Sequence, residues 1–562
     1  MNNRGVGAKK DKAPISLLSL HLKSRIELIS IRDSLFFLTY RKGCDFLMKR
    51  TIFMTAWDMD VEKGGVNKVM LHRSALFSNN DYRSVLLTMD FKMNYPEIAS
   101  ELRATGQLGR DVEIINVYDY YREKFAEKEV SNSQKERYEQ NIKKYEGDYW
   151  VQDGDYFARY FMNGTYIKYK QWDDDGILKF IDYFDENRVR NRREEFHKDG
   201  YKIRETLYHP ANNKKNQERY FTPDGFCFLT MWFNNQTGKQ QRIYLFDPAH
   251  KKVEDFANRR EFHTYWLEEL CRTEVVKPVV IVDGAATAER VINLDDDLAY
   301  KIYMLHSNHF EEPYTLGSNY REAVQPILDI IPKGFPVVVL TEQQQLDLHK
   351  EIGNRGNIHV IPNCVELPVA KVEKDPLLVS LVARYSKDKR IDQAIEAFLE
   401  VARDVPGAKL EIYGAGDEEA ELKKLIKKLK VQHSVKLKGY TNRTDEVFAK
   451  STVSLVTSKA EGFSLVMLES FANHTPVVSY EINYGPAQII KDGETGYLAP
   501  DGDIEALADR IKKLLDNPED AKRMGDNAFN LIKESYTPEI YYDKWRDLIE
   551  QTIAEEKQKP FL

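Results

Sequence analysis

The sequence predicts an α/β chain: two doubly wound parallel sheets facing a cleft, with an antiparallel β-meander inserted in the first. Three observations lead there. Short, nearly all-apolar runs alternate with helix-like apolar spacing toward both ends of the chain, as parallel strands covered on both faces require. Between them lie aromatic-rich runs with alternating polar positions, punctuated by Asp-Gly and Asn-Gly pairs. Finally, 562 residues are too many for one hydrophobic core.

Residues 1–48 read as an N-terminal extension. Their apolar stretch over 14–47 is broken by Lys23, Arg25, Glu27, Arg32 and Asp33, and it has neither a signal-peptide core nor a cleavage site. A poorly ordered extension and an upstream start, with Met48 as the natural beginning, both stay open. Ile52–Trp57 then reads as a buried strand and Gly64-Gly65 as a loop. Val66, Val69, Met70 and Leu76 mark a helix, and Ser84–Thr88 a second strand.

From about 105 to 272 the pattern changes. Asp175-Gly176, Asp199-Gly200 and Asp224-Gly225 recur 24 and 25 residues apart, each between strand-like runs. Asp-Gly readily takes the positive φ of tight turns, so this segment is expected to be a repeating meander serving acceptor binding or oligomerisation. The α/β pattern resumes with Val279–Asp283, Lys301–His306 and Pro336–Leu340, giving a first domain of 49–104 and 273–370. After Ile361-Pro362-Asn363 it restarts: Leu377–Ala383, Lys409–Tyr413, Val435–Leu437, Val453–Val456 and Val477–Tyr480 are the strands expected of a second domain, 371–562.

Composition removes several classes. A net charge of −7 argues against a general nucleic-acid binder, which needs a clustered basic excess. Cys44, Cys227, Cys271 and Cys364 are scattered, which suits neither a zinc site nor a disulfide framework and points to a reducing cytoplasm. No uncharged apolar run reaches the ~18 residues of a membrane span.

The residues that carry chemistry follow strand Val453–Val456. Open parallel sheets bind ligands beyond the carboxyl ends of their strands, and Glu461-Gly462-Phe463-Ser464 sits at such an end. A helix opening near Ser464 would turn free N–H groups toward a diphosphate. Glu461 precedes that helix and Glu469 lies within it, so the two can address different parts of an elongated ligand. Arg384 and Lys389 follow another strand, where they would stabilise a departing diphosphate. Gly414-Ala415-Gly416 can bring backbone close to a nucleotide. Asp295-Asp296-Asp297 reads as a helix cap and Asp173-Asp174-Asp175 as a hairpin turn, so no metal site is expected.

Glu461 and Glu469 make a Glu-x7-Glu motif. In order around it fall Pro362-Asn363, Arg384 with Lys389, Gly414-x-Gly416 and Gly493-x-x-Gly496. With these the chain resembles retaining GT-B glycosyltransferases, two Rossmann-like domains about a cleft, of the large family that includes sucrose and glycogen-type synthases. The resemblance covers about residues 51–100 and 275–550. It implies that Arg384 and Lys389 hold the donor diphosphate, Glu461 the transferring sugar and Glu469 the ribose hydroxyls. The N–H groups of Ser464 and Leu465 would cradle phosphate, and Gly64-Gly65 would face it across the cleft. His306 resembles the family's histidine near the sugar 6-hydroxyl, with His309 as a rival. No metal or other cofactor is implied.

The meander resembles that of Gram-positive enzymes glycosylating wall teichoic acid, and of transferases modifying serine-rich adhesins. The implied reaction moves glucose from UDP-glucose to poly(glycerol-phosphate), a polyanionic acceptor, at the inner face of the cell membrane. The alternative is N-acetylglucosamine transfer from UDP-N-acetylglucosamine to poly(ribitol-phosphate) or serine-rich protein. An inactive partner subunit is the reading of another class; it would be expected to lose Arg384, Lys389, Glu461 and Glu469, all present here. Arg188, Arg190, Arg192 and Arg193 either track the phosphate chain or form a solvated strand face. An exposed aromatic sheet edge predicts a homo-oligomer.

Overall fold

In the computed structural model, which describes residues 49–61, 64–127, 132, 136, 149–368 and 373–558, the apolar runs become strands of three sheets. The extension over 1–48 lies outside the described residues. Strands β1 (Arg50–Ala56) and β2 (Tyr82–Thr88) are parallel and joined through the helix Val66–Asn79. A third strand, β3 (Glu113–Asn116), pairs parallel with β2, so the first domain continues past the expected break at 104. Asn116 ends β3 and caps the helix Val117–Phe125, its side chain accepting from the N–H groups of Tyr118 and Asp119.

The inserted sheet follows. Its strands are β4 (Tyr149–Gln152), β5 (Phe157–Met162), β6 (Thr165–Trp172), β7 (Leu178–Phe184), β8 (Arg190–Phe196), β9 (Lys202–Tyr208), β10 (Lys215–Phe221), β11 (Cys227–Phe233), β12 (Gln240–Asp247) and β13 (Lys252–Phe256). They lie side by side in sequence order as one antiparallel meander. Three of its turns are the Asp-Gly pairs: Gly176, Gly200 and Gly225 take φ of 77°, 89° and 89°. Their N–H groups donate back to the carbonyls of Asp173, His197 and Thr222. The β10–β12 end covers the first domain, Tyr220, Leu229, Met231, Ile243 and Leu245 sharing a core with Tyr118, Phe262 and Trp266. The helix Arg259–Thr273 supplies Phe262 and Trp266 to that core, so the insertion proper ends with β13, well before 272.

The first sheet is completed by β14 (Val279–Val282), β15 (Tyr300–Met304), β16 (Val337–Val339) and β17 (Ile358–Val360), in the order β17-β16-β15-β14-β1-β2-β3. The second contains β18 (Asp375–Val382), β19 (Lys409–Tyr413), β20 (Val435–Gly439), β21 (Ser451–Val456), β22 (Val477–Tyr480) and β23 (Gly496–Ala499), ordered β20-β19-β18-β21-β22-β23. Both sheets are parallel and each reverses its winding once, between β1 and β14 and between β18 and β21. Such switch points are where ligands bind.

The last helix, Pro538–Gln558, returns to the first domain, although the sequence placed all of 371–562 in the second. Trp545 is fully buried with its ring 6.2 Å from Phe77, and Tyr542 Oη donates to Asp81 at 2.6 Å. The chain therefore crosses between domains twice. Where it does so, Val365 N–H donates to the Tyr536 carbonyl at 3.1 Å.

Candidate active site

The switch point of the second sheet collects the predicted donor residues. After β18 the chain runs through Ala383-Arg384-Tyr385, and Gly414 and Gly416 press against it. A Cβ on Gly414 would stand 1.9 Å from the Ala383 carbonyl oxygen, and one on Gly416 2.4 Å from that of Tyr385. The close approach that this Gly-x-Gly permits includes one to the chain's own backbone. Tyr385 N–H donates to the Ala415 carbonyl at 2.9 Å, and Arg384 is left with its side chain 71% exposed at the crevice.

Lys389 Nζ donates to Glu461 Oε1 at 2.6 Å, and Ser458 Oγ donates to the same oxygen at 2.6 Å. Beside them, Arg390 has left-handed backbone, φ 46°. A non-glycine residue there costs about 1 kcal/mol or more. Its nearly buried guanidinium offsets this by donating to the carbonyls of Thr457 (2.8 Å) and Ser458 (2.6 Å) and to Asp501, 4.5 Å above the Tyr480 ring. Arg390 thereby ties the end of β21 to the start of the helix Ile391–Asp404 and fixes Lys389 relative to Glu461. Sequence reasoning passed over it, although it adjoins Lys389.

Ser464, at φ 69°, opens the helix Leu465–Ala472. The first amides of that helix have no intrahelical acceptor. Glu469, within the helix, is nearly buried and accepts from Lys68 Nζ at 2.5 Å. Lys68 belongs to the other domain, in the first turn of the helix that follows Gly64-Gly65. Gly65 takes φ 62° to begin it. Partial burial works against the Lys68 charge, and Glu469 outweighs it, raising Lys68 above its usual range.

The Glu461–Gly462 turn lies against the end of β15. A Cβ on Gly462 would stand 2.1 Å from the His306 carbonyl oxygen, so only glycine allows the two domains to meet there. His306 Nε2 is 3.0 Å from Asp283 Oδ1, and Asp283, wholly buried beyond β14, also pairs with Arg73. Burial works against the Asp283 carboxylate, but Arg73 and His306 hold its pKa below the usual range. His309 is packed away: its ring stacks on Tyr484 at 5.9 Å and 4°, and Nδ1 lies 3.3 Å from Gln344 Nε2. Burial pushes its pKa down to about 4. His306 therefore borders the Glu461 turn, and His309 belongs to the core.

The meander arginines are mostly engaged. Arg193 makes two bonds to Asp182, at 2.7 and 2.6 Å, and lies 3.8 Å over Phe180. Arg190 is 3.6 Å from Asp182 and 4.0 Å over Tyr208. Arg192 lies 4.0 Å over Tyr183 and 4.0 Å from both Glu194 and Glu205, whereas Arg188 lies 5.7 Å over the Tyr166 ring. They make neither a bare basic track nor a merely solvated face. Asp173 closes a hairpin turn, accepting from the N–H groups of Asp175 and Ile177. Asp295 likewise closes a turn through Asp297 N–H, not a helix as the sequence suggested, while Asp296 pairs with Lys301. Among the described residues, no helix is long and apolar enough to cross a membrane.

Comparison with known proteins bears on the fold and the family. The family described as Glycosyl transferases group 1 matches residues 367–531, which carry Arg384, Lys389, Glu461 and Glu469. The chain is 29% identical over 507 residues to the poly(ribitol-phosphate) α-N-acetylglucosaminyltransferase of Staphylococcus aureus (strain COL), covering 89% of this chain and 99% of the relative. It is 26% identical over 508 residues to the poly(glycerol-phosphate) α-glucosyltransferase of Bacillus subtilis (strain 168), covering 87% and 73%. Among solved structures, a variant of S. aureus TarM in complex with fondaparinux, α-GlcNAc-glycerol and UDP superposes with a TM-score of 0.80 at 28% identity, over 89% of this chain and 99% of that one. Residues 367–531 are a glycosyl transferases group 1 domain, and the chain that carries them is a hexosyltransferase of the GT-B fold.

Proposed function

We propose that this enzyme moves glucose with retention from UDP-glucose to the glycerol-phosphate units of wall teichoic acid, at the inner face of the cell membrane. The observation that carries the donor half is the arrangement at the second switch point. Beyond β18, in the segment that begins at Arg384, Lys389 bonds Glu461 beyond β21, with Gly462 closed against His306. In this reading Arg384 and Lys389 take the charge that builds on the diphosphate as the sugar bond breaks, which stabilises the transition state more than the ground state. The first amides of the Leu465–Ala472 helix add to that field. Glu461 orients the transferring sugar, Glu469 takes the ribose hydroxyls, and His306, held by Asp283, meets the far side of the sugar.

The acceptor half is supported by the likeness to the B. subtilis poly(glycerol-phosphate) enzyme. A second reading, N-acetylglucosamine transfer to poly(ribitol-phosphate), is favoured by the S. aureus relative, 99% of whose length is matched. One assay separates them: UDP release from UDP-glucose and from UDP-N-acetylglucosamine, each with purified poly(glycerol-phosphate), poly(ribitol-phosphate) or a serine-rich peptide. Release stimulated by poly(glycerol-phosphate) with UDP-glucose alone is the expected result. Stimulation only by the ribitol polymer with UDP-N-acetylglucosamine would replace the first reading with the second. Silence in all six pairings would remove both.

A further inference from the structure

Both carboxylates of the Glu-x7-Glu pair accept from a lysine. The two pairs differ in kind. Lys389–Glu461 lies within one domain and survives any movement of the other. Lys68–Glu469 spans the cleft, joining residues 401 positions apart, and exists only while the domains are close. Glu469 is nearly buried, whereas the Lys68 side chain is 57% exposed.

We propose that Lys68 is an interdomain latch switched by the donor: it occupies Glu469 in the empty enzyme, and the incoming ribose displaces it onto the donor diphosphate. The proposal rests on the reading of Glu469 as the ribose carboxylate. Ribose hydroxyls donating to Glu469 would share a carboxylate that Lys68 already holds through Oε1, and so compete with the ammonium for it. The displaced ammonium does not lack a counter-ion, because the nucleotide that evicts it brings a diphosphate to the same crevice. Lys68 is well placed to reach it, three residues beyond Gly65 in the first turn of a helix opening on the cleft. Its character also suits the exchange, since an ammonium on a four-carbon stem presents three rotatable donors and no fixed fork geometry. The nearly buried carboxylate thus keeps a donor in both states, which a site with an unpaired buried charge would not allow.

Uridine and UDP separate the two halves of the exchange, because uridine competes with Lys68 for Glu469 but offers no phosphate in return. Their dissociation constants would be measured by calorimetry on the full chain, for the parent protein, Lys68→Met and Glu469→Gln. In Lys68→Met, uridine should bind roughly fivefold tighter, the size of one partly exposed ion pair. UDP should bind about tenfold more weakly, having lost one charge-assisted contact. The preference for UDP over uridine then falls about fifty-fold, the product of those two changes. Affinities that stay as in the parent, or that drop together by one factor, would overturn the latch. Glu469→Gln keeps the outcomes apart. If uridine binding ignores that substitution, the ribose reading itself fails. If it weakens while Lys68→Met leaves the preference untouched, only the latch fails.

Discussion

Both the inserted sheet and the cleft carry paired charged side chains, yet the two regions use them differently. In the sheet they stand opposite one another in the strand ladder. Asp182 faces Arg193 and Glu195 faces Arg204 as direct cross-strand partners, and each pair is hydrogen-bonded. Secondary structure alone brings them together and neutralises them. In the cleft no ladder does so. Lys389 and Glu461 are 72 positions apart and Lys68 and Glu469 are 401; Lys389, Glu461 and Lys68 stand near the ends of elements, and Glu469 within the helix Leu465–Ala472. Charge density therefore does not mark a site; charge gathered where strands end and helices begin does.

Substitutions test that contrast, the largest effect first. Glu461→Gln or Lys389→Ala should lower kcat by about a hundredfold or more, roughly 3 kcal/mol of transition-state stabilisation. Thermal melting should stay within a few degrees of the parent. Turnover unchanged in both variants would show that the cleft pair is as passive as those in the sheet. Next comes Arg390→Gly, which relieves the left-handed backbone but removes three hydrogen bonds. Urea unfolding should show a loss of about 2–3 kcal/mol, with kcat falling as Lys389 loses its bearing on Glu461. A variant as stable as the parent would mean that the guanidinium bonds do no more than cancel the strain.

The two histidines sharpen the contrast between cleft and core. His309 has a folded pKa of about 4 against 6.5 in the unfolded chain, so its stabilisation is present above pH 6.5 and lost as pH falls toward 4. Between pH 7 and 5 this amounts to about 2 kcal/mol. His263, wholly buried and also depressed, works in the same direction. His309→Phe should flatten the acid slope of urea unfolding, and an unaltered slope would assign it elsewhere. The smallest effect is expected in the sheet. Arg193→Ala should cost about 1 kcal/mol in a double-mutant cycle with Asp182→Ala, with donor hydrolysis and polymer KM unaffected. A raised polymer KM at unchanged stability would break the comparison and return Arg193 to acceptor binding.

What could be read from the chain followed the range over which each signal acts. Asp175-Gly176, Asp199-Gly200 and Asp224-Gly225 set local turns, and those turns built the meander as expected. Arg384, Lys389, Glu461 and Glu469 were legible because their motifs are short and ordered. Three strands were not. β3 has only Ile114 and Ile115 between polar ends, β17 is three residues long, and β23 starts at Gly496, a residue type that reads as a break. Tertiary pairing makes them strands. The partners of the site residues were hidden for the same reason. Nothing local joins Lys68 to Glu469, or Arg73 to Asp283 across 210 positions, and the left-handed backbone of Arg390 has no signature in an arginine.

The two passages of the chain between domains carry a mechanical consequence. Had the domains shared a single tether, one could swing, twist or slide against the other in many directions. Here the connector near Val365 and the return near Tyr536 run side by side, bonded through Val365 N–H and the Tyr536 carbonyl. The final helix is anchored beyond them by Trp545. A paired crossing behaves as a short axle: bending about it is easy, whereas torsion and translation would shear a backbone hydrogen bond. Relative motion of the domains is expected to favour an angle of opening over twist and slide. The Gly462–His306 approach, with no room for a Cβ, is where the two domains meet beyond that crossing.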